Sequence, residues 1–249
     1  GADLRMYYPY FRGKQYELIT IRETSKLLAE KNFVPVIEPV RESLGSLKKT
    51  LSAVCEAGGR AIVIVNPYHG DHKKDGASIT GLLQEYFCEV DNISAGILLR
   101  NDMNADEVIA CYDQHADHQP VLVHAGFTAP KELAAALKKN TAGLDNVFIE
   151  DHAKMLYRKH FDQGKRILVR DGFKRQRNAD YLPVEEFSDL HVTYDELRMT
   201  GFGDFLIAGD VYSESGGPAY AVAIHLTFID PDKDDVMYVY HFISDTNDT

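Results

Sequence analysis

The sequence predicts an α/β protein of the (β/α)8, TIM-barrel-like class over residues 6–210, with an antiparallel β-hairpin appended over residues 211–249. Three observations carry this expectation. Short Val-, Ile- and Leu-rich runs alternate with helical stretches at a steady pace. The runs are apolar throughout, as in parallel strands covered on both faces. Eight such units between Met6 and Asp210 average about 26 residues each, the spacing of a compact barrel. An open doubly wound sheet is the competing arrangement, but no GxGxxG follows the first strand to hold a dinucleotide.

The elements follow in order. The opening MYYPYFRGKQYELITIRETSKLLAEKN (6–32) supplies a first strand and its helix. VPVIEP (34–39) reads as the second strand. In SLGSLKKTLSAVCEAG (43–58), Leu44, Leu47, Leu51 and Val54 recur at helical spacing, and Gly58-Gly59 ends the helix. RAIVIVNP (60–67) precedes the helix ASITGLLQEYFCEV, and SAGILLRND (94–102) precedes NADEVIACYDQHA. QPVLVHAGF (119–127) precedes APKELAAALKKN, and DNVFIEDH (145–152) precedes AKMLYRKHFDQG. KRILVRD (165–171) leads through a helical pattern, VEEFSDLHVTYDELRM, to the last strand, GDFLIAGD (203–210). GFGD (201–204) and SGGPAYAV (215–222) read as glycine-rich turns. AYAVAIHLTFID (219–230) and VMYVYHFISD (236–245) then flank PDKDD as a hairpin, with His225 and His241 on its two strands.

Composition narrows the function. The 249 residues are 45% hydrophobic and 26% charged, enough to bury a core. Lys plus Arg number 27 against 38 Asp plus Glu, a net charge of −11, which disfavours a sequence-independent nucleic-acid coat. Cys55, Cys88 and Cys111 form no CxxC pair and read as free cytosolic thiols. No apolar run approaches the ~18 residues of a membrane span, so a cytoplasmic location without membrane contact is expected. The leading GADLR reads as an expression scar ahead of a native start at Met6.

Barrels of this class carry their sites at the C-terminal strand ends. There the sequence puts Lys14, Glu38, Asn66, Arg100 with Asp102, His124, Glu150 with Asp151, Arg170 with Asp171, and Asp210. Glu38, Glu150 and His124 are the candidate acid–base groups. Lys14, Asn66, Arg100, Arg170 and Asp210 are the candidate ligand contacts. The loop DGFKRQRN adds Lys174, Arg175 and Arg177, suited to phosphate in an otherwise acidic chain. A divalent metal on Glu38, Glu150 and Asp210 is a variant of the same idea. NPYHGDHKKDG contains an HxDH string, His69, Asp71 and His72, which reads as an exposed polar loop rather than a metal site. His115 and His118 are expected at the surface.

The strings YYPYFRGKQYEL, VIEP, GFGDFLIAGD and GGPAYAVAIHLT followed by HFISD resemble the bacterial and phage "beta protein" family, over nearly the whole chain. That family's basic-then-acidic opening falls here on Lys14 and Glu17. The resemblance implies a barrel-like α/β fold, a setting in variable or phage-defence loci, and a chain that continues past Thr249. It transfers no catalytic residue.

Two functional classes remain. One is a phosphodiesterase-type hydrolase acting on a phosphorylated small molecule or nucleotide, with Glu38 or Glu150 as base and the cations as the anion clamp. The other is a non-catalytic immunity or defence accessory that grips a protein partner through residues 219–245. Convergence of Glu38, Arg100, Glu150, Arg170 and Asp210 in one mixed-charge pocket is the feature expected of the first.

Overall fold

The computed structural model describes residues 6–138, 143–214 and 221–245. The leading GADLR and most of the SGGPAYAV turn lie outside them. In chain order the elements are β1 (Tyr10–Arg12), α1 (Gln15–Glu23), α2 (Ser25–Lys31), β2 (Val36–Glu38), α3 (Gly45–Glu56), β3 (Ala61–Ile64) and α4 (Ala77–Tyr86). Next come β4 (Ile93–Leu99), α5 (Ala105–Gln114), β5 (Val121–His124), α6 (Pro130–Leu137), β6 (Asp145–Ile149), α7 (Met155–Arg158) and β7 (Arg166–Arg170). The chain then runs through β8 (Val184–Ser188), α8 (Leu190–Thr193), β9 (Gly201–Asp204), β10 (Ala223–Asp230) and β11 (Val236–Ile243).

Eight of these strands form one parallel sheet in the order β1-β2-β3-β4-β5-β6-β7-β9. It is nearly closed into a barrel. At the seam, Tyr7 bridges Phe202, and Tyr8 N–H donates to the Phe202 carbonyl at 2.8 Å. The expected barrel is therefore present, with two differences near its end. The last barrel strand is GFGD, not GDFLIAGD, so GFGD is no turn and residues 205–210 form a strap beyond it. VEEFS is not helical. It is β8, which leaves the barrel and joins β10 and β11 in a separate antiparallel sheet, order β10-β11-β8. Only Phe187 of β8 is buried, so its strand state comes from pairing with β11.

The two faces of the barrel sheet bury different residues, because strand side chains alternate. Tyr8, Tyr10, Val36, Ile62, Ile64, Leu98, Val121, Val123, Val147, Ile149, Ile167, Val169 and Phe205 pack together as the barrel interior. Their neighbours Phe11, Ile37, Val63, Ile97, Leu122, Phe148, Leu168 and Phe202 form the layer between sheet and helices. This parity decides which strand-end residues can reach the barrel mouth. Among the described residues no helix is long and apolar enough to cross a membrane.

Candidate functional site

A cavity of about 610 Å³ opens at the C-terminal ends of the strands. Tyr10, Leu98, Ile149 and Phe205 give it an apolar lining; Arg12, Glu38, His69, Arg100, His152 and Asp210 supply the charge and polarity. Arg12 and Glu38 continue the inward parity of Tyr10 and Val36, and Arg100 that of Leu98. Asp210 arrives differently, on the strap after β9.

Arg12 organises the site. Its Nη2 donates to Asp210 Oδ1 at 2.7 Å and to the Asp210 carbonyl at 3.0 Å. Its Nε lies 3.7 Å from Glu38 Oε2, too far for a hydrogen bond. Burial works against the Arg12 charge, but Tyr10, Glu38 and Asp210 outweigh it and hold its pKa above the usual value. The Tyr10 hydroxyl donates to Glu38 Oε1 at 2.9 Å. Burial raises the Glu38 pKa above the ordinary carboxylate value, against the opposing pull of Arg12, Tyr10 and the His69 main chain. Glu38 Oε2 and Arg12 Nε are both buried without a hydrogen-bond partner. The two atoms face each other as a long ion pair, so their charges compensate without a hydrogen bond.

The rim completes the arrangement. Arg100 donates to exposed Asp102 at 3.0 Å and to the carbonyls of Asn66 and Pro67, and its guanidinium lies over the Tyr68 ring. His152 Nε2 lies 3.4 Å from Asp210 Oδ2. Burial and the neighbouring Arg12 lower the His69 pKa, which favours a neutral ring. Of the HxDH string, only His69 reaches this cavity. Asp71 accepts from Glu42 N–H, and His72 is buried with Nε2 at 2.9 Å from the Arg41 carbonyl. The string clamps two loops together instead of forming a plain exposed loop.

Of the five side chains expected to converge, Glu38, Arg100 and Asp210 do so. Glu150 and Arg170 do not. They have the opposite parity to Ile149 and Val169 and form a bidentate pair at 2.8 and 3.0 Å, with Asp189 as a third member on Arg170. The metal variant on Glu38, Glu150 and Asp210 is corrected by the same fact. Among the described residues no cluster of three or more His, Cys, Asp or Glu has the arrangement to hold a metal ion.

His124 also faces away from the barrel interior. It is fully buried, stacked on Phe148, accepts from the Tyr157 hydroxyl at 2.6 Å and donates to Asn146 Oδ1 at 2.8 Å. Burial pulls its pKa down to about 3 from 6.5. The folded protein thus keeps His124 neutral where the unfolded chain protonates it. Its contribution is intact above pH 6.5 and erodes as pH falls toward 3, by roughly a few kcal/mol in total. His124→Gln is expected to flatten this part of the acid-unfolding curve, measured by circular dichroism between pH 7 and 3. A curve with the wild-type slope would contradict it.

The remaining candidates are structural or lie elsewhere. Asn66 pairs with the Leu98 backbone through both side-chain atoms, at 2.9 and 2.8 Å. His115 and His118, expected at the surface, are buried; His115 lies 2.8 Å from Thr80 Oγ1. Lys14 donates to the Ser213 carbonyl and, with Arg175 and Arg177, lines a second cleft of about 490 Å³ that shares Arg12 with the first. Lys174 is exposed and lines neither. Arg12, Tyr10, His69 and His152 were not legible as strand-end candidates. Alternation in YYPYFR, with Tyr8, Tyr10 and Arg12 on one face, is the signal that finds the first two.

Comparison with protein-family models and with curated proteins gives no match to this chain.

Proposed function

We propose that the barrel mouth binds a phosphate-bearing small molecule of nucleotide type and that Glu38 is the acid–base group for its hydrolysis. The observation that carries this reading is the buried Arg12–Glu38–Asp210 charge network at the wall of a cavity with an apolar lining. Arg100 supports it as the anion contact, since its carboxylate partner Asp102 is itself exposed and can yield to a ligand. Tyr68, Leu98, Ile149 and Phe205 offer surface for a base or sugar.

In the step envisaged, Glu38 accepts a proton from water as the water oxygen bonds to phosphorus. The bond to the leaving alcohol breaks, and the proton ends on that alcohol. A raised Glu38 pKa brings the group nearer to neutral pH, where acid–base exchange is efficient.

Calorimetric titration with nucleotides and sugar phosphates, with and without Mg²⁺ or Mn²⁺, tests the binding half. Glu38→Gln is expected to retain ligand and to lose about 10²–10⁴-fold in hydrolysis rate, followed by product release. No anion bound by the wild type overturns the binding half. Binding with no hydrolysis, or full activity in Glu38→Gln, overturns the catalytic half.

The partner-binding alternative is favoured by a different observation, the exposed apolar face of the three-stranded sheet. Such a face suits an accessory protein of the defence loci implied by the family resemblance.

A further inference from the structure

The three-stranded sheet has two edges of opposite character. The β8 edge is protected: Pro183 precedes it, Glu185 and Glu186 lie on it, and a register shift at Met237/Tyr238 bends its partner. Among the described residues, the β10 edge has none of these devices. Its eight residues, AIHLTFID, carry no Lys, Arg or Pro, and the only carboxylate is at the last position. Ladder hydrogen bonds alternate from residue to residue. Ser244 N–H donates to the Val222 carbonyl, so Val222 turns its backbone groups toward β11. The N–H groups of Ala223, His225, Thr227 and Ile229 therefore face away from β11, toward the open edge.

The outer face beside that edge is apolar. Ile224 is paired with Phe242, Leu226 with Tyr240 and Phe228 with Tyr238. Ile224 is 64%, Leu226 59% and Phe242 50% exposed. Contiguous exposed surface of this kind marks an interaction site.

Charge identifies the occupant. The turn at the end of β10 carries Asp230, Asp232, Lys233, Asp234 and Asp235, a net −3. Beside the start of β10 lies the loop with Lys174, Arg175, Arg177 and Asp180, a net +2, tied there by Asn178 Nδ2 donating to the Ala221 carbonyl at 2.6 Å. If a second copy adds its β10 antiparallel to the first, the acidic turn of each copy runs beside the basic loop of the other. An isologous twofold pairing satisfies both contacts at once. We infer that this protein self-associates through β10, building a six-stranded sheet across a twofold axis, held in register by the 230–235 turn against the 174–177 loop. The inference does not depend on the ligand proposed for the barrel mouth.

Sedimentation or light scattering of the full chain tests it. The wild type is expected to run at twice 28.0 kDa at micromolar concentration. Thr227→Pro removes an edge N–H that β11 does not use, and it should run at 28.0 kDa. Leu226→Lys, an exposed position, should do the same if proline disturbs the strand. Circular dichroism checks that both remain folded. The sharper test pairs two charge reversals. Arg175→Glu/Arg177→Glu and Asp232→Lys/Asp234→Lys are each expected to be monomeric alone and to form a mixed dimer when combined, since every turn then meets a loop of opposite sign. A monomeric wild type, dimers that survive the edge substitutions, or charge variants that fail to complement would overturn the inference.

Discussion

Arg12→Met is expected to destabilise the protein by about 3–5 kcal/mol, the cost of leaving a buried charge without its partner. Arg12 is buried between Glu38 and Asp210, and among the described residues no other cation is paired with either carboxylate apart from His152 at 3.4 Å from Asp210. Without the guanidinium, Glu38 would hold its proton to still higher pH. A carboxyl whose folded pKa is raised loses stability as pH rises from the unfolded value near 4.5 toward the folded one. The deficit in Arg12→Met should therefore widen from pH 5 to pH 8. Adding Glu38→Gln should recover part of it, because an amide needs no counter-charge. Urea denaturation of the single and double variants measures this as a double-mutant cycle. A deficit under about 1 kcal/mol at pH 8 would show that the network is not structurally coupled.

Gly203→Ala is expected to damage the barrel seam and to cost about 1–3 kcal/mol or more. A methyl group on Gly203 would lie 2.1 Å from the Tyr8 carbonyl oxygen, a backbone atom that cannot move without parting β1 from β9. Gly201 is more tolerant, because its nearest neighbour is the edge of the Tyr8 ring at 2.9 Å. Thermal unfolding should thus rank the variants, with Gly203→Ala melting below Gly201→Ala. The reverse order would indicate that the seam is not closed by backbone approach.

Those two glycines also explain where sequence reading stops. Seven barrel strands are legible because each is an apolar run between turn residues, and each run overlaps the strand formed. The eighth is Gly-Phe-Gly-Asp, whose composition indicates a turn. It becomes a strand by pairing with β7, and its glycines admit the close approach of Met6 and Tyr8 across the seam, a demand visible in three dimensions alone. β8 is hidden similarly, since its Glu-rich segment takes its conformation from β11, about fifty residues later.

The site is half legible for a simpler reason. Strand-end residues carry no mark, in position alone, of which face of the strand they occupy. Counting alternately from the apolar interior separates them: Glu38 follows Val36 and Arg100 follows Leu98, whereas His124, Glu150 and Arg170 fall on the opposite parity. Asp210 obeys no such rule, because the strap after β9 brings it to Arg12, and neither period nor propensity encodes that return.

The parity difference gives the most direct test of the proposed site. Calorimetry of the best phosphate-bearing ligand should be run on the wild type, Arg100→Ala and Arg170→Ala. Arg100→Ala is expected to lose affinity by about tenfold or more, as for a charge-assisted contact worth 1.5–3 kcal/mol. Arg170→Ala, which breaks the pair with Glu150 and Asp189 outside the cavity, should bind as the wild type does despite a lower melting temperature. Unchanged binding in Arg100→Ala, or lost binding in a folded Arg170→Ala, would contradict a ligand held in the barrel mouth.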